Sequence, residues 1–231
     1  MKLVCLPSAG SYSEYLRRIL DLCCIDRQDW QVIRSTLEEI KPDLLRRFYA
    51  NRSKYFSNHD KGEAYLRAWH YSQLVLVLHP LARCLHLNGL SHLSERVYFA
   101  MVSHTACDIY YEVPLPVRTS CDHPLGAVIG RGSFGENASL QFSSGCNIGN
   151  NNGVYPEVNG NLLMLPGSSL VGKSLILGNV VLAKGAYLKD AGLIENKIVF
   201  GSHPDNIFKN LSSEVFSSHS MFCDADTRNA H

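Results

Sequence analysis

The sequence predicts a chain of the α+β class, in which an N-terminal α-helical domain is followed by a parallel β-helix. Three observations lead to this prediction. Apolar residues recur at three- to four-residue spacing in the N-terminal half, as they do along amphipathic helices. The C-terminal half is richer in Gly, Asn and Ser, which indicates a second architecture. An aliphatic residue stands at every sixth position from Val158 to Ile194, and such a period is typical of a β-helix.

The hexad residues predict the interior of the β-helix. One residue of each hexad points inward, and three hexads complete one triangular coil. We therefore expect Leu170 to stack on Leu188, and Ile176 to stack on Ile194. The inward residues are Val158, Met164, Leu170, Ile176, Leu182, Leu188 and Ile194.

Upstream of Val158 the lattice is less regular. The apolar residues at six-residue spacing are Ile109, Leu115, Cys121 and Ala127, and after a slip of one residue Val128, Phe134, Leu140 and Cys146. The polar segment 149–156 then interrupts the pattern, although Asn152 falls on the lattice. This segment forms either a tight coil with a buried Asn or a short protruding loop, and we favour the loop.

The three- to four-residue spacing of apolar residues predicts a set of helices over residues 12–107. Pro42 predicts a break, and Pro80 predicts a kink or a new start, because proline lacks the N–H that a helix interior needs. Gly89 predicts the end of that helix, since glycine is common just after a helix terminus. A further helix is expected over Leu93–Thr105.

The predicted domain organisation has three parts. Residues 1–107 form the helical N-terminal domain, residues 108–209 form the β-helix, and residues 210–231 form a polar C-terminal tail. The tail is Ser-rich from Ser212 onward, and we expect it to be loose.

Composition and charge exclude several functional classes. The net charge is +1, so no basic surface for nucleic acid is expected. No secretory signal and no run of about twenty apolar residues is present, which predicts a cytoplasmic protein with no membrane partner. The eight cysteines show no CxxC spacing, so neither a zinc site nor another metal is expected, and they are most simply reduced thiols.

Cys121 has two interpretations. It falls on the inward lattice, which predicts a core residue. It also precedes Asp122-His123, and a nucleophilic role is the alternative, although no local arrangement of a base in the sequence supports it.

The motif around Asp122-His123 resembles the serine acetyltransferases, a family of left-handed β-helix (hexapeptide) acyltransferases. The family has an Asp-Ile that opens the first coil and an Asp-His pair fourteen residues later; here Asp108-Ile109 and Asp122-His123 have that spacing. Further matches are Asn88-Gly89, Gly126-Ala127-Val128-Ile129-Gly130, Ile176-Leu177-Gly178-Asn179 and Gly201-Ser202-His203-Pro204. The resemblance extends from about His79 to Lys209 and implies the left-handed form of the β-helix.

The resemblance implies direct acyl transfer from acetyl-CoA to a hydroxyl, without a covalent enzyme intermediate and without a metal. His123 would be the general base, because an imidazole can take the hydroxyl proton as the thioester is attacked. Asp108 would orient His123 and stabilise the imidazolium. Asp122 would bind the acceptor's ammonium group.

The resemblance also implies where CoA would bind. Gly149 and Asn150 would face the thioester end, and Gly167, Lys184 and Gly185 would lie along the pantetheine and adenine. Lys184 and Lys173 would meet CoA phosphates, or would simply be solvated surface residues.

The sequence departs from the family at the acceptor site. Where the family has Arg-His-Pro, with the Arg holding the serine carboxylate, this chain has Val154-Tyr155-Pro156. Loss of a bidentate carboxylate clamp changes recognition, so the acceptor is expected to differ from free serine. Tyr155 is a candidate acceptor contact, with simple packing as the alternative.

Two functional classes stay open at this stage. The first is a CoA-dependent O-acyltransferase with altered acceptor recognition, with N-acyl transfer to an amino sugar as an option within the enzyme class. The second is a non-catalytic relative that acts as a binding or assembly subunit. In either case the resemblance implies a homotrimer or a dimer of trimers, with a small-molecule hydroxyl acceptor as the partner of the enzyme.

Overall fold

The computed structural model describes residues 1–6 and 8–222. The chain divides into two compact units, the first Met1–Glu112 and the second beginning at Val113. Within the described ranges, no helix is both long and apolar enough to cross a membrane.

The first unit is mainly helical, as predicted. Its helices are α1 (Ala9–Asp21), α2 (Arg27–Tyr49), α3 (Tyr71–Leu87) and α4 (Ser91–Thr105). The predicted break at Pro42 and the predicted new start at Pro80 are wrong, because both prolines lie inside continuous helices, while the alternative of a kink at Pro80 stays a prediction. In α2 the buried residues Ile40 and Leu44 lie on either side of Pro42, so burial on both sides favours one uninterrupted helix. The prediction at Gly89 is confirmed: it follows α3 with φ +76°.

The first unit also contains a three-stranded sheet that the sequence did not predict. Its strands are β1 (Lys2–Leu6), β2 (Ser57–Asn58) and β3 (Glu63–Arg67), in the order β1-β3-β2. Strands β1 and β3 pair in parallel although about sixty residues separate them, with Val4 opposite Tyr65. Such a long-range pairing leaves no short-range signal in the sequence.

The second unit is a parallel β-helix of about four turns. The strands are β4 (Arg118–Asp122), β5 (Val128–Ile129), β6 (Ser133–Phe134), β7 (Ser139–Ser143), β8 (Asn147–Gly149), β9 (Glu157–Val158), β10 (Asn161–Met164), β11 (Ser169–Val171), β12 (Ser174–Leu182), β13 (Tyr187–Lys189) and β14 (Gly192–Phe200). Strands β4, β7, β10 and the ends of β12 and β14 form the first face. Strands β5, β8, β11 and β13 form the second, and β6, β9 and the starts of β12 and β14 form the third.

The predicted inward stack is confirmed. Leu170 pairs with Leu188, and Ile176 pairs with Ile194. All seven hexad residues from Val158 to Ile194 are buried, with at most 6% of any residue exposed. Burial of this aliphatic column is the main stabilising contribution that one coil makes to the next.

In the first coil the six-residue lattice wrongly places Val128 among the inward residues. Ala127 and Ile129 are buried, whereas Val128 between them is 44% exposed. Ile129 pairs with Ile148, so Ile129 belongs to the inward column of the second face.

The spacing between later inward residues explains the misplaced frame. Leu140 and Cys146 are buried as predicted, but Phe142 and Ile148, two residues after each, occupy the stacked columns. Cys121 and Ile129 stack on Phe142 and Ile148, so the corner after β4 is two residues longer than the corner after β7, and this shifts the frame at Val128. The turn after β6 and the segment after β8 are also longer than a regular hexad allows, so a strict period of six cannot follow the chain through all three.

The C-terminal residues return along the outside of the first face. β15 (Ile207–Asn210) pairs antiparallel with β14, and α5 (Ser213–His219) follows it. An outer row of side chains crosses this face in register: Ser120, Gln141, Leu163, Val181 and Ile198.

Residues 211–222 form a strap over that outer row. Leu211 and Phe216 pack against Leu163 and Val181. Further along, the backbone N–H of Met221 donates to Gln141 Oε1 at 2.8 Å.

The strap corrects one expectation about the tail. The prediction of a loose segment from Ser212 is wrong for Ser212–Phe222, where Phe222 is 2% exposed and its ring lies 5.1 Å from the Arg118 guanidinium. The rest of that prediction concerns residues 223–231, which lie outside the described residues.

Candidate active site

His123 lies at the first corner of the β-helix. Strand β4 ends at Asp122, and His123 follows with φ +48°, a left-handed conformation that is uncommon for a residue with a Cβ. The turn is closed by a hydrogen bond from the Leu125 N–H to the His123 carbonyl, at 2.8 Å. The His123 side chain is 74% exposed, so a substrate can reach its ring nitrogens.

Asp122 is the charged neighbour of this imidazole. Its Oδ1 lies 3.6 Å from His123 Nε2, and the Asp122 side chain is 53% exposed. The carboxylate and the imidazole are close enough to interact, although water screens the interaction at so exposed a site. The structure thus brings together two of the predicted site residues.

A column of glycines continues the edge that begins at the His123 turn. Gly126, Gly145, Gly167 and Gly185 occupy equivalent corner positions with φ between +65° and +72°. The Gly145 N–H donates to the Leu125 carbonyl at 3.0 Å, and the corners below repeat this bond. A side chain at any of these positions would be strained, so the sequence needs glycine here.

This edge also holds other predicted CoA-binding residues. Gly167 and Gly185 belong to the column, and the exposed Lys184 precedes Gly185. Coils lie about 4.8 Å apart, so roughly 14 Å of bare edge separates Gly126 from Gly185. A thin, extended ligand could lie along these glycines, with the exposed Lys184 beside it.

The segment after β8 is a tight turn that projects from the next edge. Asn151 and Val154 exchange both backbone hydrogen bonds, at 2.9 and 3.0 Å. Asn152 and Gly153 have φ of +49° and +79°, the conformation of a two-residue type I′ turn. Asn152 is exposed, so the interpretation as a short loop is confirmed and the buried-Asn coil is excluded.

The predicted residues Gly149, Asn150 and Tyr155 flank this turn. Asn150 Oδ1 accepts from the Gly153 N–H at 3.1 Å, which fixes the side chain against the turn. Tyr155 is half-buried, and within the described residues its hydroxyl has no hydrogen-bond partner. The hydroxyl is therefore available to a ligand. Val154 beside it is 46% exposed.

Asp190, two coils further on, anchors the turn. Its Oδ2 accepts from Asn151 Nδ2 at 2.6 Å, and its Oδ1 accepts from the Lys173 N–H at 2.8 Å. The Lys173 N–H holds the pKa of this carboxyl below its usual value, so Asp190 is charged at neutral pH. Gly172 leaves room for it, since a Cβ there would lie 2.0 Å from Asp190 Oδ1.

Asp108 follows α4 in the first unit, whereas His123 belongs to the second. Asp108 Oδ1 accepts a hydrogen bond from the Tyr98 hydroxyl at 2.7 Å. Burial and the Asp108 carboxylate raise the pKa of Tyr98, so the phenol stays protonated and continues to donate. The orienting role of Asp108 stays a prediction.

Tyr98 and Asp190 were missed by reasoning from the sequence. Tyr98 precedes Asp108 by ten residues, and Asp190 follows Asn151 by 39. Neither spacing belongs to a helix or strand period, so no local pattern could have indicated the contacts.

Two features of the described residues bear on other chemistry. Cys121 is 1% exposed and points into the β-helix, which supports its interpretation as a core residue. In residues 1–6 and 8–222, no group of three or more His, Cys, Asp or Glu side chains is arranged to hold a metal ion.

Comparison with known proteins gives structural relatives alone. No family model matches the chain, and no curated protein sequence matches it. A serine acetyltransferase from Brucella abortus strain S19 superposes with a TM-score of 0.62 at 17% identity, covering 89% of this chain and 85% of that one. The same enzyme in complex with coenzyme A gives 0.61 at 16% identity, with 89% and 84% covered.

A third solved structure agrees with these two. The serine acetyltransferase from Neisseria gonorrhoeae has a TM-score of 0.63 at 16% identity and covers 90% of this chain and 81% of that one. At such identities the shared property is the fold. This chain therefore has the fold of the serine acetyltransferases, with a strongly divergent sequence.

Proposed function

We propose that this chain is a CoA-dependent O-acyltransferase that moves an acyl group, most simply acetyl, to a hydroxyl of a small acceptor. The observation that supports it is the exposed His123, which lies at one end of the glycine column. The same edge of the β-helix therefore carries a base for the acceptor hydroxyl and a row of glycines along which an extended thioester could lie. Structural relatives that act as acyltransferases support the same class.

The proposed reaction needs one proton carrier. His123 takes the proton of the acceptor hydroxyl, and the oxygen attacks the thioester carbonyl carbon. The C–S bond then breaks, and the CoA thiolate recovers the proton from the imidazolium. Asp122, beside the ring, favours the transient imidazolium and is the proposed contact for a cationic group on the acceptor.

The acceptor is proposed to differ from free serine. The exposed Val154 stands where the resemblance expects an Arg, so no guanidinium is available there for a carboxylate. Tyr155 offers a neutral hydroxyl instead. These residues favour an acceptor whose carboxylate is absent or already joined to another group.

A titration with CoA tests the proposed co-substrate. We expect calorimetry to detect CoA binding, and Lys184→Ala to weaken it about three- to tenfold, because a lysine near a phosphate contributes a charge-assisted contact. Lys54→Ala, in the first unit, is the matched control and should bind as the wild type does. Absence of CoA binding to the wild-type protein would contradict the proposal.

The positions of the site residues also favour a homotrimer, or a dimer of trimers. His123 and the glycine column lie on one edge of the second face, whereas the turn with Asn150 and Tyr155 lies on the opposite edge of that face. A neighbouring copy could bring its turn against the first copy's His123 edge and so complete the site. We expect light scattering to give three or six chains per particle, and a strictly monomeric particle would contradict this arrangement.

A further inference from the structure

The first unit encloses a cavity that the proposed reaction does not use. It has a volume of about 220 Å³ and lies between the sheet and helices α1 and α2. Most of its wall is apolar, from side chains such as Leu3, Leu16, Leu44 and Leu66. A half-open apolar cavity of this kind is the usual form of a small-molecule site, although it is smaller than the ~300 Å³ at which drug-sized sites begin.

Two polar groups inside the cavity lack internal partners. Tyr12 lines it, is 5% exposed, and has no hydrogen-bond partner for its hydroxyl among the described residues. The hydroxyl itself reaches the cavity, so a bound acceptor would replace water as its hydrogen-bond partner. Burial raises the pKa of this phenol, so it is a donor at neutral pH. The Cys5 thiol also lines the cavity and is partly buried.

The rim has one uncompensated positive charge. Lys41 is paired with Glu38, whose Oε2 lies 3.1 Å from Lys41 Nζ. Arg34 also lines the cavity, is exposed, and has no ion-pair partner in the part of the chain that the structure describes. A guanidinium at the mouth of an apolar space matches one negative head group on an apolar tail. A dianion such as a phosphate would meet only one free cation.

We propose that this cavity binds a small monocarboxylic acid with an apolar tail of roughly seven carbons, because a methylene group is about as large as a water molecule and the cavity volume is about seven times the ~30 Å³ that one water occupies. The tail lies among the leucines, the carboxylate accepts hydrogen bonds from Arg34, and the Tyr12 hydroxyl donates to the buried end of the head group. None of the residues that line the cavity is one of the proposed acyl-transfer residues.

Octanoate is the probe, and Cys5 reports on the site. We expect octanoate to bind in calorimetry and to slow alkylation of Cys5 by iodoacetamide, followed by mass spectrometry. Alkylation of the exposed Cys24 should not change and is the internal control. Octanol, which lacks the charge, and acetate, which lacks the tail, should each bind at least about tenfold more weakly, the scale of one charge-assisted bond.

Variants place the ligand within the cavity. We expect Arg34→Gln and Tyr12→Phe each to weaken octanoate binding about tenfold while circular dichroism stays unchanged, because Arg34 is exposed and Tyr12→Phe keeps the ring. Arg27→Gln, on the same helix but outside the cavity, should bind as the wild type does. Unchanged Cys5 alkylation, equal binding of octanol, or equal binding by Arg34→Gln and Arg27→Gln would each overturn the proposal.

Discussion

Replacement of His123 by Ala is expected to lower the rate of acyl transfer by about 10²–10⁴-fold, the usual contribution of a positioned general base. The side chain is 74% exposed, and it lies in a turn rather than in the buried column. Its removal should therefore change the chemistry and leave the fold intact. The measurement is the initial rate of CoA thiol release in the presence of acceptor, at saturating acetyl-CoA.

A second histidine variant tests whether the loss of rate is specific to His123 or follows the removal of any exposed histidine. His92 lies at the start of α4 in the first unit and is exposed. His92→Ala should keep the full rate, and His123→Ala should keep the wild-type affinity for CoA. Equal rates for wild type and His123→Ala would remove this residue from the mechanism.

Replacement of Phe142 by Ala is expected to lower the free energy of unfolding by about 3–5 kcal/mol, the range for truncation of a buried phenylalanine. Phe142 is fully buried and stacks between Cys121 and Met164 in the inward column of the first face. Three neighbouring coils share this column, so the cavity that the truncation leaves cannot easily close. Denaturant unfolding, followed by circular dichroism, measures the change.

Val128→Ala is the control for the register of the first coil. Its side chain is exposed in the structure, so the cost should be within about 0.5 kcal/mol, as for most surface substitutions. The hexad lattice predicts the opposite, with Val128 inside. A large loss for Val128→Ala together with a small loss for Phe142→Ala would show that the described register is wrong.

The sequence predicts the β-helix well where every turn has the same length. From Val158 to Ile194 each hexad adds one flat side, and all seven predicted inward residues are buried. Before Val158 the turns differ in length, and in a chain with 45% hydrophobic residues a false frame such as that through Val128 is easily found. The three-stranded sheet of the first unit was not predicted, because β1 and β3 pair across about sixty residues.

The strap and the site show the same division between local and long-range information. A polar, Ser-rich composition concealed Phe216 and Phe222, which are buried only because the chain turns back over the first face. The Asp-His pair was found because its spacing is local, whereas of the glycine column the resemblance indicated Gly167 and Gly185 but not Gly145. Tyr98 and Asp190 act through contacts that folding alone creates.

The central claim is transfer of an acyl group from CoA to a hydroxyl, and one measurement tests it most directly. Free thiol release from acetyl-CoA is followed with purified protein and a panel of acceptors: L-serine, carboxylate-blocked serine, other hydroxy amino acids and sugar alcohols. The account predicts thiol release that depends on the acceptor and is faster with carboxylate-blocked serine than with L-serine. His123→Ala should slow this release by about 10²–10⁴-fold. Release that needs no acceptor and persists in His123→Ala, or no release with any acceptor, would contradict it.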